Sequence, residues 1–232
     1  MDEFYSDFLV HEFANVPNTY IADGHHRAAS AYNVGKMRKE KALAAGIKLT
    51  GEEDFHYFLT ILYPDNNLKV MDYNRVLKTL CGKKEEEVMS MLSKCYHVTP
   101  ITDDPKPKEK GTHSMFLGKK WYKLAIKPEL IDKKDPIKSL DVEILAGHVL
   151  KDIFGIEDLR ADKRIDFVGG IRGLKELEHR CNEDCVCAFA MHPVSIDEIM
   201  CIADNGLIMP PKSTWFEPKP RSGFVVHLID DN

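Results

Sequence analysis

The sequence predicts an α/β fold of the mixed α+β kind, with a mixed sheet and flanking helices. Three observations predict it. Short β-branched or aromatic runs at 55–63, 164–168 and 185–191 are interleaved with stretches of helix formers at 26–45, 84–95 and 141–154. Two apolar runs, HSMFL and KWYKLAI, are joined at Gly118-Lys119 as a hairpin is. No internal repeat recurs, which sets repeat architectures aside.

Taken in order, residues 2–14 (DEFYSDFLVHEFA) predict a short amphipathic helix with Phe4, Phe8 and Leu9 on one side. Pro17 breaks the chain into a loop, and Thr19–Ala22 reads as a short buried strand. Helix formers fill 26–45, and Gly46 supplies the stop. FHYFLTILY at 55–63 predicts a central strand, closed by the turn Pro64-Asp65-Asn66-Asn67. Residues 68–80 are expected to pass from strand to helix, and 84–95 to form a helix with Val88, Met91 and Leu92 as its stripe. DDPKPKEK at 103–110 reads as a charged, proline-broken hinge. This gives a region 1–102, a linker 103–111 and an α+β region 112–232. Beyond it, DVEILAGHVLKDIF (141–154) and 174–180 read as helices, and RIDFV and CVCAFAM as strands. SIDEIMCIA (195–203) predicts a helix capped by Ser195 with acids in its first turn. Four prolines in 207–223 exclude a regular element there, and 224–229 predicts a closing strand.

Composition narrows the function. The chain has 232 residues, 44% hydrophobic and 30% charged, ordinary for a globular protein able to bury its own core. The net charge of −5 argues against a general nucleic-acid coat, which needs a basic face. No apolar run reaches the length of a membrane span, and the acidic MDEFYSDF start lacks a signal-peptide pattern. Six cysteines are too few for a disulfide scaffold of this length, so a reduced, cytoplasmic protein is expected. Cys185 and Cys187 sit inside an apolar run and read as core rather than as zinc ligands.

The densest ionisable cluster is Asp23-Gly24-His25-His26-Arg27, at the start of the helix over 26–45. The first amides of a helix lack internal acceptors and carry the positive end of its dipole. Gly24 allows a sharp turn and close approach. Arg27 can hold two phosphate oxygens in its planar fork. His25 and His26 can donate to oxyanions or move protons near neutral pH. Asp23 can orient a histidine, cap the helix or hold a metal ion. The plain alternative is a capped helix with two surface histidines. Against it, basic residues at a helix N-terminus are unfavourable without a counter-anion. Adjacent histidines with no second ligand pair do not make a zinc site. Around 209–219 (MPPKSTWFEPK), prolines hold an extended backbone that presents Lys212, Ser213, Thr214 and Lys219, though the glycines of a Walker loop are missing. The alternative there is a proline-rich loop whose Trp215 and Phe216 plug the core. Gly169-Gly170 reads as a turn or a tight backbone approach, and Asp72-Tyr73-Asn74-Arg75 as a polar group after a strand.

YIADGHHRAASAYN, LDVEILAGHVL, RIDFVGGIRGL and MPPKSTWFEPKPRSG, in that order, resemble the domain-of-unknown-function family numbered 1015 over nearly the whole chain. Members are longer, with DGHHR near mid-chain, so this sequence resembles a C-terminal half. The resemblance implies a ParB/sulfiredoxin-like element around the DGHHR loop. In that superfamily such a loop holds nucleotide phosphates, and some relatives phosphorylate free L-serine from a nucleotide donor. Others are partition-type nucleotide switches, and one was proposed to be nuclease-like. The implied phosphate contacts fall on Gly24, His25, His26 and Arg27, with Lys212, Ser213 and Thr214 as site wall. Asp23, His25 and His26 are the implied catalytic groups, and the implied cofactor is Mg²⁺ with a nucleoside di- or triphosphate. The serine kinases draw a carboxylate base from before the loop. Here only Asp2, Glu3, Asp7 and Glu12 precede it, and none sits in a matching context. The expected partners are a nucleotide and a small hydroxyl acceptor, plus a missing N-terminal half or a second copy. A non-catalytic nucleotide-binding module, or an inactive fragment, is the alternative.

Overall fold

A computed structural model describes residues 3–221 and 223–229; Asp2, one of the acids ahead of the loop, lies outside them. The chain divides into two units: residues up to Pro64 together with those from Lys219 onward, and residues Asp65–Pro218.

The first unit is built on helix α1 (Glu3–Phe13) and helix α2 (His25–Ala44). Three expectations fail in it. Thr19–Ala22 and the run after His56 in FHYFLTILY take no strand, and 54–56 make one short 3₁₀ turn. The closing strand at 224–229 is also absent. The reason is common to all three. A strand exists only by pairing, and the described residues of this unit contain none to pair with. The composition of 57–63 suits a strand buried on both faces, yet Tyr57, Phe58, Leu59, Ile61, Leu62 and Tyr63 are all exposed. None of the unit's described residues is buried. Contacts between distant parts of the unit include the following. The Phe55 carbonyl lies where a Cβ on Gly35 would be, at 2.6 Å, the Arg38 guanidinium donates to the Ile229 carbonyl, and His227 Nε2 lies 2.9 Å from the Asp54 carbonyl.

The second unit holds a six-stranded antiparallel sheet and a separate two-stranded ribbon. Strand β1 (Lys69–Met71) stands where 68–80 was expected to begin as a strand, and strand β2 (Tyr73–Leu77) takes the place of the helix expected after it. The run YNRVL is buried at four consecutive positions, 74–77, as in a strand covered on both faces rather than on one helical stripe. Helix α3 (Glu85–Cys95) starts on three glutamates at the positive end of its dipole, with the Lys84 amide donating 2.7 Å to the Glu87 carboxylate. Strand β3 (Tyr96–Ile101) follows without a break. The stretch 103–111 joins β3 to β4 (Thr112–Leu117) within one sheet, and β5 (Lys120–Ile126) completes the hairpin expected at Gly118-Lys119. Helix α4 (Asp141–Leu145) continues as a wider π-turn over Ala146–Lys151. Then come β6 (Ile165–Gly169), α5 (Leu174–Glu183), β7 (Cys187–Met191) and α6 (Ile196–Asp204). Ser195 caps α6 as expected: Glu198 N donates to its hydroxyl at 3.1 Å, and Ser195 N donates to the Glu198 carboxylate at 2.9 Å. A short β8 (Trp215–Glu217) pairs with β1, inside a segment whose prolines were expected to exclude any strand. Its three residues fit between Pro211 and Pro218, so no proline interrupts the pairing.

The sheet order is β3-β5-β4-β7-β2-β6. All six residues of β4 are buried, as expected of a strand covered on both faces. Val76, Phe116, Val168, Ala188 and Ala190 pack with Trp121 and with Leu177 of α5 on one side. Arg75, Leu77, Met115 and Phe189, of opposite parity, are buried on the other. The architecture is thus mixed α/β, and its core lies in the second unit.

Candidate functional site

The DGHHR loop sits where α2 begins. Gly24 takes φ 92° and ψ 23°, a left-handed conformation that an L side chain adopts only under strain. The first helical bond runs from Ala28 N to the Gly24 carbonyl at 2.9 Å. The amides of His25, His26 and Arg27 therefore point out of the helix with no intrahelical acceptor. No side chain caps this end, and no acid lies in the first turn. Asp23 does not cap the helix. Its Oδ2 faces two cations instead, Arg27 Nη2 at 3.5 Å and Lys219 Nζ at 3.6 Å. The Arg27 guanidinium folds back over Gly24, where a Cβ would stand 3.3 Å from Nη2. Two cations, three outward amides and one carboxylate leave the loop net positive. The Arg27 and Asp23 side chains are 75% and 45% exposed, and such exposed pairs contribute about 0–1 kcal/mol, which a multiply charged anion readily outcompetes. His25 and His26 are exposed on the same turn.

The PPKST segment is organised within the second unit. Lys212 adopts φ 59°, and its ammonium lies 5.4 Å from the Tyr73 ring centroid and 5.7 Å from that of Phe167. Ser213 is buried and donates its hydroxyl to the Pro210 carbonyl at 2.7 Å, so it shapes the turn. Thr214 is half-buried beside it. The structure thus gathers Asp23, Gly24, His25, His26 and Arg27 on one loop, with Lys219 added from 196 residues away in sequence. Lys212, Ser213 and Thr214 form a turn in the other unit.

The double glycine, which reads in the sequence as a turn or a tight backbone approach, and the Asp72–Arg75 polar group meet at that same turn. A Cβ on Gly169 would stand 2.7 Å from the Trp215 ring, and one on Gly170 would stand 2.4 Å from Asp72 Oδ1. The double glycine is there for close approach. Asp72 accepts from Asn74 Nδ2 at 2.5 Å, and Asn74 Oδ1 accepts from Met191 N at 2.9 Å. Arg75 is almost wholly buried. Its guanidinium donates to the Tyr73 carbonyl and, at 3.2 Å, to the Lys212 carbonyl. No spacing rule in the sequence marked these residues.

Other titratable groups of the second unit are structural. His113, fully buried, has Nε2 3.1 Å from the Asp141 carbonyl, and burial pushes its imidazole down to about 4. Burial raises the Asp141 carboxyl to about 6, against two contacts from Gly111 N at 2.9 and 3.0 Å. Burial also lifts the Cys185 thiol to about 11 and Cys187 well above its ordinary value, as befits core packing. Among the described residues no group of three His, Cys, Asp or Glu side chains could hold a metal ion, and no helix is long and apolar enough to cross a membrane.

No curated protein matches the chain in sequence. Among solved structures, a free serine kinase in complex with AMP is similar at 16% identity and a TM-score of 0.41. A mutant free serine kinase in complex with ADP is similar at 17% and 0.39. Both alignments cover 84% of this chain and 66% of the other, so this chain spans just under two thirds of the kinase it aligns with. A conserved hypothetical protein from Pyrococcus furiosus matches at 18% identity and 0.41, over 87% of this chain and 72% of that one. These likenesses are too low to transfer a function. The family comparison is decisive where they are not: the model described as Protein of unknown function (DUF1015) matches residues 2–143, more than half of the sequence, and the chain belongs to that family.

Proposed function

We propose that the chain binds the phosphates of a nucleotide at the start of α2. One observation carries the reading: an uncapped helix N-terminus behind a left-handed glycine, with His25, His26 and Arg27 in its first turn and no acid there. The phosphate oxygens accept from the amides of residues 25–27 and from the Arg27 guanidinium, which releases Asp23. Mg²⁺ commonly binds through one or two carboxylates together with substrate phosphates. Asp23 is the single carboxylate on the loop, so the ion would ride mainly on the phosphates, with Asp23 as its protein ligand, and would neutralise their charge.

The finer reading is phosphoryl transfer to a small hydroxyl acceptor such as free L-serine. Positioning and charge neutralisation carry most of such catalysis. His25, His26 or Asp23 would take the acceptor's proton. A non-catalytic nucleotide-binding module uses the same loop without chemistry. Melting the protein with and without ADP and Mg²⁺, then incubating it with ATP and L-serine and looking for O-phosphoserine by mass spectrometry, separates these. Stabilisation plus product that disappears in Arg27→Ala supports the kinase. Stabilisation alone supports the module. No stabilisation by any nucleotide sinks both.

A further inference from the structure

Three sequence motifs that share no spacing rule converge on one spot of the second unit: Asp72-Tyr73-Asn74-Arg75, Phe167-Val168-Gly169-Gly170 and the 209–217 segment. Gly169 lets the Trp215 ring approach the end of β6 closely. Trp215 in turn stands 5.7 Å from the Tyr73 ring at 59°, and Tyr73 meets Phe167 edge-on at 6.0 Å. Two cations are set into this aromatic wall. The Arg75 guanidinium carbon and the Lys212 ammonium each lie 5.7 Å from the centroid of the same Phe167 ring.

A half-buried carboxylate, Glu143, acts on the Arg75 charge from a distance, without an ion-pair contact. Among the described residues no carboxylate comes within ion-pair distance of Arg75 or Lys212. Arg75 is 1% exposed, its two terminal nitrogens reach only carbonyls, and its Nε has no hydrogen-bond partner. Burial lowers its pKa only to about 10, so it remains charged at neutral pH. A buried cation with no carboxylate in contact is expensive, and a like charge beside it adds to the cost. Lys212 is also kept in a left-handed backbone conformation that lysine seldom takes, the sort of strain that collects at ligand sites.

The hydrogen-bond inventory names what is missing. Lys212 Nζ donates one proton to the Tyr73 hydroxyl oxygen at 3.4 Å. Two ammonium protons and the Tyr73 hydroxyl proton remain to be given. The site is rich in donors and poor in acceptors, and the Lys212 side of it faces solvent.

We propose that Lys212 and Tyr73, backed by the buried charge of Arg75, form an oxyanion seat in the second unit. It takes the chemistry common to a carboxylate and a phosphate: oxygens that accept from Nζ and Oη while the charge offsets both cations. Arg75 does not touch the ligand. It fixes the Lys212 carbonyl, and so the turn, and supplies the field. The proposal does not require the α2 loop to bind anything.

Only two tryptophans occur, and Trp215 lines the seat. In the full chain carrying Trp121→Phe, Trp215 emission is followed while sodium phosphate, or separately sodium acetate, is added at constant ionic strength. The near-UV circular dichroism of the unaltered chain is followed in parallel, so the test stands if that substitution harms folding. The expected result is a saturable change with at least one anion, weakened about tenfold or more by Lys212→Met, weakened less by Tyr73→Phe, and kept in Arg27→Ala. The anion that saturates at lower concentration shows whether carboxylate or phosphate is the natural group. A flat response to both anions overturns the seat, as does a response that survives Lys212→Met. A response lost in Arg27→Ala but kept in Lys212→Met also overturns it, while leaving the nucleotide loop intact.

Discussion

Replacing Gly170 with alanine tests whether the double glycine exists for close packing. Gly170 needs no special backbone freedom, since it lies in a short right-handed turn with Gly173, not Gly170, in the left-handed region. The added methyl would stand 2.4 Å from Asp72 Oδ1, 2.6 Å from Cγ and 2.8 Å from Oδ2. Asp72 is 9% exposed and cannot swing away without leaving Asn74, whose own carbonyl holds Met191 N. Overpacking of this kind costs about 1–3 kcal/mol, and loosening a buried hydrogen bond adds about 1 kcal/mol. The expected loss is about 2–4 kcal/mol in the second unit. Trp121 and Trp215 both lie in that unit, so urea unfolding followed by tryptophan fluorescence reads it directly. In an Asp72→Ala background the same substitution should cost under about 1 kcal/mol, because the obstructing carboxylate is gone. An equal cost in both backgrounds would refute the steric account.

Gly24→Ala forces a methyl-bearing residue to φ 92°, so α2 should fray at its start, at a local cost of about 1–3 kcal/mol, and nucleotide stabilisation should fall with it; amide hydrogen exchange at residues 28–30 measures the first effect. Ser195→Ala should lower the stability of the second unit by about 0.5–2 kcal/mol in urea, through loss of the α6 cap. Two buried groups give opposing pH dependences. His113 is held below its unfolded value of 6.5, at about 4, so its contribution is complete above 6.5 and is lost as the pH falls towards 4. Asp141 is raised from 3.8 to about 6, so its contribution is complete below 3.8 and is lost as the pH rises through 6. Each amounts to about 3 kcal/mol at full extent. The intact chain should therefore show a shallow profile between pH 4 and 6. Asp141→Asn should lose stability towards acid and His113→Gln towards neutrality, and profiles parallel to the intact chain would contradict the assignment.

The helices were legible because their signals are local. The Ala-rich run of α2, the glutamates opening α3 and the Ser195–Glu198 pair of α6 each specify an element without help from distant residues. The β4–β5 hairpin was legible for the same reason, its turn lying at Gly118-Lys119. Strand identity depends on partners, and the misreadings are there. FHYFLTILY has the composition of a central strand and no strand to pair with among the described residues of its unit, whereas YNRVL, broken by polar residues, becomes β2 because β6 and β7 flank it. Of the candidate site, the DGHHR cluster was visible because its residues are contiguous. The approach of Lys219 to Asp23, and of Lys212 to Tyr73 and Arg75, crosses 137 or more positions and leaves no periodic trace. The glycine pair leaves a turn and a tight approach both open in the sequence, because what demands it, the ring of Trp215 and the carboxylate of Asp72, arrives from elsewhere in the chain.

The start of α2 can be watched by itself, through the backbone amide resonances of His25, His26 and Arg27 in a ¹⁵N-labelled full chain as ADP with Mg²⁺ is added. If these amides hold the phosphates, all three shift together and saturate along one binding curve, and Arg27→Ala moves that curve to at least tenfold higher nucleotide. If they stay in place while ADP is added to millimolar concentration, or move no differently in Arg27→Ala, the loop is an ordinary helix start and the nucleotide reading falls.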